Sequence, residues 1–338
     1  MRLVIRFNSI LVSITEVCHV GCAHCGFIGS HRDREAAPLD ISQWVKDITS
    51  YGISTVIFTG GEPFERLDSL STGVATAHAA GAKVGVFTSS FWAESIPRAS
   101  EVLFSLPGLT QLYLSSDTFH QRRVPYEFVR NAITAALKLG IEKIIICITF
   151  TSAAELQSVR NEYREYEDRV VFHEDRVIPN PYLSIAVLRH QDALVPPVPS
   201  KFESSCWLGT PLINPNGDVF SCHIGKAAAH RDLRQTPYFL GNLFEQSFSE
   251  IMNRAQTRMD YQFLRTHGPR GVADVVVQHP EMARAAGRDE FTNACDMCFG
   301  MLGNPDGKAI FDEHLNSQAV RDDVDMKLVL QLGETPTG

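Results

Sequence analysis

The first half of the chain alternates short apolar, β-branched runs with longer stretches of helical period. Continuous apolar runs of this length predict strands that are covered on both faces, as in a parallel sheet with helical crossovers. Six strand–helix units predict an α/β fold built on a partial (β/α)6 barrel, about three-quarters of a closed eight-stranded one. The expected strands are Ile10–Ile14, Thr55–Thr59, Lys83–Thr88, Gln111–Ser115, Lys143–Phe150 and Val170–Ile178.

Two of the intervening stretches predict amphipathic helices with identifiable ends. For the first helix we expect Asp40 as the N-cap and Gly52 as the stop. The second covers Tyr126–Leu139 and ends at Gly140. The apolar face of the first helix is formed by Ile41, Trp44, Val45 and Ile48.

A change in composition near residue 193 predicts a domain boundary. The run ALVPPVPS, residues 193–200, carries three prolines and cannot continue a helix or a central strand. Beyond it, Asn216-Gly217 between two short apolar runs predicts a β-hairpin turn. The expected domains are a barrel at 1–192, a linker at 193–205, a small domain at 206–303 with a helical insertion at about 255–292, and a C-terminal extension at 304–338.

Composition narrows the class of protein. The chain has 338 residues, of which 44% are hydrophobic and 21% charged, as in ordinary globular proteins. A formal charge of −8 argues against nucleic acid as a partner. No apolar run is long enough to span a bilayer and no signal-cleavage pattern follows the N-terminus, so we expect no membrane partner and a cytoplasmic location.

The eight cysteines divide into an early set of three, a later set of four and the single Cys147. In a reducing compartment this spacing favours metal binding over disulfides. Cys18, Cys22 and Cys25 place three thiols within eight residues at the end of the first strand. Three thiolates on a [4Fe-4S] cube leave one iron open for a small molecule. The alternative is zinc, with His19, His24 or His31 as the fourth ligand.

The second strand ends in the segment TGGEP, residues 59–63. Gly60 and Gly61 allow the backbone to approach a ligand closely, and Glu62 offers a carboxylate to an ammonium group. Together with CxxxCxxC one helix earlier, this segment resembles the radical S-adenosylmethionine (SAM) superfamily. The resemblance extends over essentially the whole chain.

The resemblance implies how the first cysteine set is used. Cys18, Cys22 and Cys25 would hold a [4Fe-4S] cluster whose open iron binds the amino and carboxyl groups of SAM, within a SAM site that includes Gly60, Gly61, Glu62 and Pro63. Glu62 would lie near the SAM ammonium group and His24 against its adenine. A one-electron donor such as flavodoxin or ferredoxin is the implied partner.

Two further strand ends resemble the family more weakly. Thr88-Ser89-Ser90 stands where many relatives carry T-N-G, and we expect Thr88 and Ser89 at the SAM site. Ser115-Ser116-Asp117 resembles an S-x-D segment, in which Ser115 and Asp117 would face the ribose or the substrate. The alternative for Asp117 is a helix cap.

The later cysteines are Cys206, Cys222, Cys295 and Cys298. Their spacing, with INPNGDVFSC and the segment Gly241-Asn242-Leu243, resembles the Twitch domain, a shortened SPASM domain with one auxiliary [4Fe-4S] cluster. Four protein ligands would leave no open iron, so this cluster is expected to transfer electrons. A structural zinc held by four thiolates is the alternative.

The expected substrate is a small molecule. Because Cys18 stands so near the first residue, we expect no N-terminal recognition domain of the kind that binds leader peptides in many relatives. We therefore expect a sugar, aminocyclitol or nucleoside of a natural-product pathway, as with the aminocyclitol dehydrogenases of antibiotic pathways, and dehydrogenation, epimerisation or decarboxylation as the outcome. The alternatives are a peptide maturase with a separate recognition protein, and a non-catalytic iron–sulfur or zinc protein.

The catalytic candidates are Asp117, His120 and Cys147, and further proton-transfer candidates are Glu174, Asp175, His190 and His223. Cys147 shares strand parity with Thr149 and Thr151, so we expect it to face the barrel interior, where a thiol could donate a hydrogen atom. The alternative is a small apolar core residue deep in its strand.

Overall fold

The computed structural model describes residues 8–22, 24–25, 34–177, 210–229, 232–287, 290–291 and 294–332. These residues fall into two compact units. Residues 8–177 with 213–217 form the first unit, and residues 210–212 with 218–332 belong to the second. The predicted linker at 193–205 lies outside the described residues.

The first unit contains six parallel strands in sequential order from β6 to β1, which confirms the predicted α/β fold. Strands β1, β2, β3 and β5 are rich in β-branched residues, whereas β6 is largely polar. Each strand pairs in parallel with the next because a helix or loop crossover returns the chain to the same edge. The strands are β1 Ser9–Ser13, β2 Thr55–Thr59, β3 Lys83–Thr88, β4 Gln111–Ser115, β5 Lys143–Phe150 and β6 Val171–Arg176.

Five helices connect these strands. Helix α1 buries the apolar face predicted for it and ends at Gly52, whose φ is 106°. The prediction of Asp40 as its N-cap is wrong: the cap is Ala37, and Asp40 lies in the first turn because Pro38 starts the helix. The helices are α1 Pro38–Tyr51, α2 Leu67–Ala79, α3 Ile96–Phe104, α4 Tyr126–Lys138 and α5 Ala153–Asn161.

One face of the sheet lies under these helices. A Cβ on Gly73 of α2 would meet the ring of Phe58, so Phe58 and the β2 residues of its parity face the helix layer. The opposite, concave face carries Ile57 and its register partner Gly85. Along β4 and β5 the concave-face residues Tyr113, Ser115, Cys147 and Thr149 are half-buried.

The second unit contains a small β structure. Strand β8, Asp218–Phe220, pairs antiparallel with β9, Phe239–Asn242. Residues 213–217, which belong to the first unit, contain the turn predicted at Asn216-Gly217, between β7, Leu212–Ile213, and β8: the Gly217 N–H donates to the carbonyl of Asn214 at 2.9 Å, and the φ of Gly217 is 79°.

Helices follow the β structure, as expected for the region from about 255 onward. Helix α7 is broken at Gly268, ahead of Pro269. The helices are α6 Phe248–Ala255, α7 Met259–Gln278, α8 Glu281–Ala286, α9 Ala294–Leu302, α10 Pro305–Leu315 and α11 Gln318–Lys327. None of the described helices is long and apolar enough to cross a membrane.

Candidate active site

The early cysteines lie in the segment that follows β1. Cys22 is buried, while Cys18 and Cys25 are half-buried against the same apolar cluster. The cluster consists of Val20, Cys22, Phe119, Val124 and Val177. Burial raises the pKa of the Cys18 thiol to about 12, and the nearby Glu62 carboxylate adds to the rise. Metal binding at such thiols therefore displaces protons.

The two glycines of TGGEP hold the cysteine segment against β2. The N–H of Gly61 donates to the carbonyl of Thr15 at 2.6 Å, and the N–H of Glu62 donates to the carbonyl of Val17 at 2.8 Å. A Cβ at Gly61 would overlap the Val17 carbonyl, and one at Gly60, where φ is 149°, would overlap the Thr15 carbonyl. Glycine at both positions therefore sets how closely the loop that leads to Cys18 approaches Glu62.

Glu62 is buried and its carboxylate accepts four hydrogen bonds. Oε1 accepts from the Phe64 N–H at 3.2 Å and the Thr88 hydroxyl at 2.9 Å, and Oε2 accepts from the Ser89 N–H at 2.8 Å and the Ser89 hydroxyl at 2.6 Å. Burial raises the pKa of Glu62, and these hydrogen bonds oppose the rise. The carboxylate is thus fixed in orientation, and a cation nearby would stabilise its charge. Pro63 follows at the start of a buried 3₁₀ turn, Pro63–Glu65.

The Thr88 hydroxyl can donate in one direction only. It accepts from the Trp92 indole N–H at 2.9 Å and from the Ser90 N–H at 3.1 Å, so its single proton goes to Glu62. Ser90 has a φ of 70°, a conformation usually left to glycine. Thr88 and Ser89, both predicted to lie at the SAM site, are therefore hydrogen-bonded to Glu62.

Asp117 is buried beside the cysteine loop. Its Oδ1 accepts from the N–H groups of Phe119 and His120 at 2.9 and 3.1 Å, and lies 2.8 Å from Nδ1 of His120. Although burial alone would raise the pKa of Asp117, the charge and hydrogen bonds of His120 hold it at about 2. Asp117 therefore binds the backbone of the turn that leads into the 3₁₀ helix His120–Arg122, but the alternative of a helix cap is wrong because the N-cap is Phe119. Asp117 also pairs with the second catalytic candidate.

His24 completes a set of three potential ligands. Among the described residues, one group of at least three such side chains has its ligand atoms within 4.8 Å of one another, namely His24, Asp117 and His120. The His24 ring lies 4.6 Å from the ring of Phe119 and 5.5 Å from that of His120. Burial alone would lower the pKa of His120, but the charge and hydrogen bond of Asp117, together with a hydrogen bond to the Cys22 thiol, raise it well above its usual value. His24, Asp117 and His120 thus lie beside the cysteine segment.

Cys147 lies on the concave face, level with the end of β4. Its register partners are Ser115, the last residue of β4, and His173 of β6, and all three side chains are half-buried. Cys147 is the fifth of eight residues of β5 and so lies within its strand, but β4 ends at its level, because β5 extends three positions past β4.

The remaining histidines and acids have varied surroundings. His19 is paired with Glu65, and its ring lies 4.4 Å from that of Phe91. Glu174 is paired with Arg160 of α5, whereas Asp175 is paired with His173 through a 2.8 Å contact. His31 and His190 lie outside the described residues, and His223 begins a 3₁₀ turn in the second unit.

Three of the four later cysteines are described, and Cys206 is not. Cys222 follows β8 and is buried, while Cys295 and Cys298 lie on helix α9 and are half-buried and buried. The hydroxyl of Tyr238 lies 3.3 Å from the sulfur of Cys298. Tyr238 could not be identified from the sequence, because no motif marks it and 60 positions separate it from Cys298.

These surroundings fit the groups that the sequence motifs imply. Beside Glu62 and the glycines, the hydroxyl oxygens of Ser13 and Ser90 are buried and have no hydrogen-bond partner among the described residues. A bound polar ligand could satisfy both. Three thiols on one apolar cluster offer the soft donors that an iron–sulfur cluster requires, and a fixed carboxylate offers an acceptor for the ammonium group of SAM.

Family models match two regions of the chain. The model of the Radical SAM superfamily matches residues 12–153. The model of an iron–sulfur cluster-binding domain, SPASM, matches residues 206–299. A comparison with curated protein sequences finds no match.

Solved structures share the fold. SuiB from Streptococcus suis bound to S-adenosylmethionine is 15% identical with a TM-score of 0.51, covering 72% of this chain and 65% of that one. SuiB bound to the precursor peptide SuiA is 13% identical with a TM-score of 0.53, covering 77% and 66%. This chain therefore spans just under two thirds of either SuiB chain. Native anSMEcpe with bound AdoMet and Cp18Cys peptide is 12% identical with a TM-score of 0.53, covering 93% of this chain and 99% of that one.

The order of the six parallel strands, the two family matches and the shared fold agree with the reading of CxxxCxxC and TGGEP. SAM and a [4Fe-4S] cluster are the cofactors of such a protein, and its C-terminal domain binds auxiliary iron–sulfur. Residues 12–153 therefore belong to the radical SAM superfamily, and residues 206–299 form a SPASM-type iron–sulfur cluster-binding domain.

Proposed function

We propose that this enzyme abstracts a hydrogen atom from a small polar molecule, a sugar, aminocyclitol or nucleoside, in the tailoring of a natural product. Cys18, Cys22 and Cys25 would hold the SAM-binding cluster, which supplies the electron for reductive cleavage of SAM to a 5'-deoxyadenosyl radical. Glu62, with Thr88 and Ser89 behind it, would orient the SAM ammonium group. Cys206, Cys222, Cys295 and Cys298 would hold one auxiliary [4Fe-4S] cluster.

The observation that supports a small polar substrate is a second row of half-buried groups on the concave face. Ser115, Cys147 and His173 occupy one register level across β4, β5 and β6. The proposed SAM contacts of TGGEP and Thr88-Ser89 instead lie at the ends of β2 and β3. Polar groups at the carboxyl ends of barrel strands bind substrates in folds of this type.

The row combines hydrogen-bonding groups with aromatic surface. The half-buried rings of Phe87 and Tyr113, on neighbouring strands of the same face, stack with centroids 4.4 Å apart. Hydroxyl, thiol and imidazole groups would bind substrate hydroxyls or amines, while ring surface would pack against C–H groups. Sugars and aminocyclitols present both kinds of surface.

Two residues of the row supply what the candidate outcomes require. In dehydrogenation, the substrate radical left after hydrogen abstraction from a carbon that carries a hydroxyl must lose one electron and one proton to become a carbonyl. The auxiliary cluster would accept the electron and the imidazole of His173 the proton. Asp175 holds that ring at 2.8 Å, and its hydrogen bond raises the pKa of His173. Epimerisation instead needs a hydrogen atom delivered to the opposite face, and the thiol of Cys147 would donate it. The thiyl radical left on Cys147 would return to the thiol by taking one electron from the one-electron donor and a proton.

A peptide maturase is the second candidate. Two of the structures that share this fold hold peptides, SuiB with its precursor peptide SuiA and anSMEcpe with Cp18Cys peptide. At 12–13% identity these likenesses show the fold alone. A peptide therefore enters the test as a competing substrate.

The test is anaerobic turnover of the reconstituted enzyme with two panels, one of sugars, aminocyclitols and nucleosides and one of peptides. We expect a member of the first panel to increase 5'-deoxyadenosine formation above the substrate-free rate and to change mass by loss of hydrogen or to change configuration. Tyr113→Ala should reduce this stimulation, whereas Phe104→Ala, at an exposed position on α3, should not. Stimulation by peptides alone would overturn the proposal in favour of the maturase.

A further inference from the structure

Tyr238 connects the two elements that carry the described cysteines of the second unit. Its backbone carbonyl accepts a hydrogen bond from the N–H of Ser221, the residue before Cys222, at 2.8 Å. Its hydroxyl donates to the carbonyl of Cys298, on helix α9, at 2.8 Å. One residue therefore fixes the β8–β9 hairpin and α9 relative to each other, at the positions of two proposed cluster ligands.

The hydroxyl also contacts a proposed ligand atom. Its oxygen lies 3.3 Å from Sγ of Cys298, within hydrogen-bond range for sulfur. In the protonated chain either group could donate, but a metal-bound thiolate has no proton to give. In the loaded protein the tyrosine proton is therefore shared between the carbonyl and the thiolate of one residue.

The hydroxyl of Tyr238 lies in a buried and well-held environment. Tyr238 is 2% exposed and Cys298 8% exposed, so water does not compete for the bond. Arg258, at the start of α7, donates to the carbonyls of Pro237 and Phe239 at 3.0 and 2.6 Å and so holds the backbone on both sides of Tyr238. The ring lies 6.2 Å from that of Phe299. A donor in such a dry, rigid place acts strongly on a nearby charge.

We propose that Tyr238 is a positioning residue of the auxiliary cluster, whose hydroxyl donates to the Cys298 thiolate and thereby raises the reduction potential of that cluster. Reduction adds negative charge to the cluster and its sulfurs, so a donor to sulfur stabilises the reduced form more than the oxidised form. The inference rests on the proposed ligation of the auxiliary cluster by Cys298 and its three companions.

The experiment measures the midpoint potential of the auxiliary cluster in the full chain. Replacing Cys18, Cys22 and Cys25 by Ala leaves the later cysteines as the cluster site, so one signal is followed by EPR during a redox titration. In this background we expect Tyr238→Phe to lower the equilibrium constant for reduction roughly three- to tenfold, which is about 30 to 60 mV for one electron. Tyr163→Phe, a buried tyrosine whose hydroxyl contacts Ser116 in the first unit, should leave the potential unchanged.

A second substitution keeps the shape of the side chain. Replacing Tyr238 with 3,5-difluorotyrosine makes the hydroxyl a stronger donor, so the potential should rise. If Tyr238→Phe loses its cluster, this isosteric variant decides the matter. An unchanged potential in a variant that keeps its cluster overturns the role of Tyr238. A parent that binds zinc or no metal at the later cysteines instead overturns the ligation on which the inference rests, and iron and zinc analysis of the parent distinguishes the two failures.

Discussion

Glu62→Gln removes one charge from a carboxylate whose four hydrogen-bond partners are all donors. Two of these donors, the N–H groups of Phe64 and Ser89, belong to the backbone and cannot turn. Thr88 cannot turn either, because its oxygen already accepts from Trp92 and Ser90. An amide NH₂ group at either oxygen position therefore faces at least one fixed donor.

The size of the effect differs between folding and SAM binding. One unsatisfied buried donor costs about 1–3 kcal/mol of stability, but the neutral amide also avoids the desolvation of a buried charge, and the two effects offset each other. SAM binding has no such offset. A charged hydrogen bond between Glu62 and an ammonium group is worth about 1.5–3 kcal/mol, which corresponds to roughly 10- to 140-fold in the dissociation constant.

Anaerobic calorimetric titration with SAM measures the dissociation constant, and thermal unfolding of the same samples measures stability. Glu101→Gln, on the exposed surface of α3 beside Arg98, is the control and should bind SAM like the parent. A Glu62→Gln variant with the parent's dissociation constant would exclude Glu62 from the SAM site, whatever its stability.

Glu62→Gln should also change how the free energy of unfolding depends on pH. Because the pKa of Glu62 in the folded chain is raised above 4.5, the folded state binds more protons than the unfolded state in the pH range above 4.5. The contribution of Glu62 to the free energy of unfolding of the metal-free protein therefore decreases as pH rises through that range. Glu62→Gln should remove this contribution, and urea unfolding at a series of pH values measures it.

Three further predictions concern the clusters and the concave face. Reconstituted protein should hold close to eight iron and eight sulfide per chain, as expected for two cubes. Replacing Cys18, Cys22 and Cys25 with alanine should halve the iron and abolish SAM cleavage. If iron analysis of this variant finds no loss, the assignment of these cysteines to a cluster is contradicted. Cys147→Ala should leave hydrogen abstraction intact whether Cys147 is a core residue or a hydrogen-atom donor, but it should stop product formation only if the thiol is the donor. Normal turnover of the variant, with no solvent deuterium in the parent's product, would exclude epimerisation through Cys147. Gly61→Ala should destabilise the protein by about 1–3 kcal/mol and weaken SAM binding, because the new Cβ would overlap the Val17 carbonyl. Gly81→Ala is the control for backbone strain alone, because Gly81 has a φ of 77° but open space where its Cβ would lie. This control should leave SAM binding unchanged.

The sequence predicts the barrel strands well because their signal is local. Four of the six expected strands match the observed bounds, and the other two, β1 and β6, are displaced or shortened by one or two residues at their ends. The ends of helices are harder to predict from sequence, since two nearby residues can each suggest a different first residue of the helix. Pro38 starts α1 two positions before Asp40, and an N-cap at Asp40 is thereby excluded.

Features that depend on register or on distant contacts could not be predicted in this way. The level of Cys147 follows from its pairing with Ser115, which no local pattern encodes. His173 becomes a candidate only once β6 is registered against β5. Tyr238 reaches Cys298 across 60 positions, through a loop and helices whose arrangement no motif specifies.

The departure of Thr88-Ser89-Ser90 from the family's T-N-G has a physical explanation in the contacts of Ser89. Its backbone N–H donates to Glu62 at 2.8 Å, a bond that serine and asparagine supply equally well. Its short side chain adds a second bond to the same oxygen at 2.6 Å. At the third position Ser90 adopts a φ of 70°, so the backbone keeps a conformation that suits glycine. Because the backbone makes the essential contact and keeps this conformation, the segment can orient Glu62 without the asparagine or the glycine that the motif usually carries.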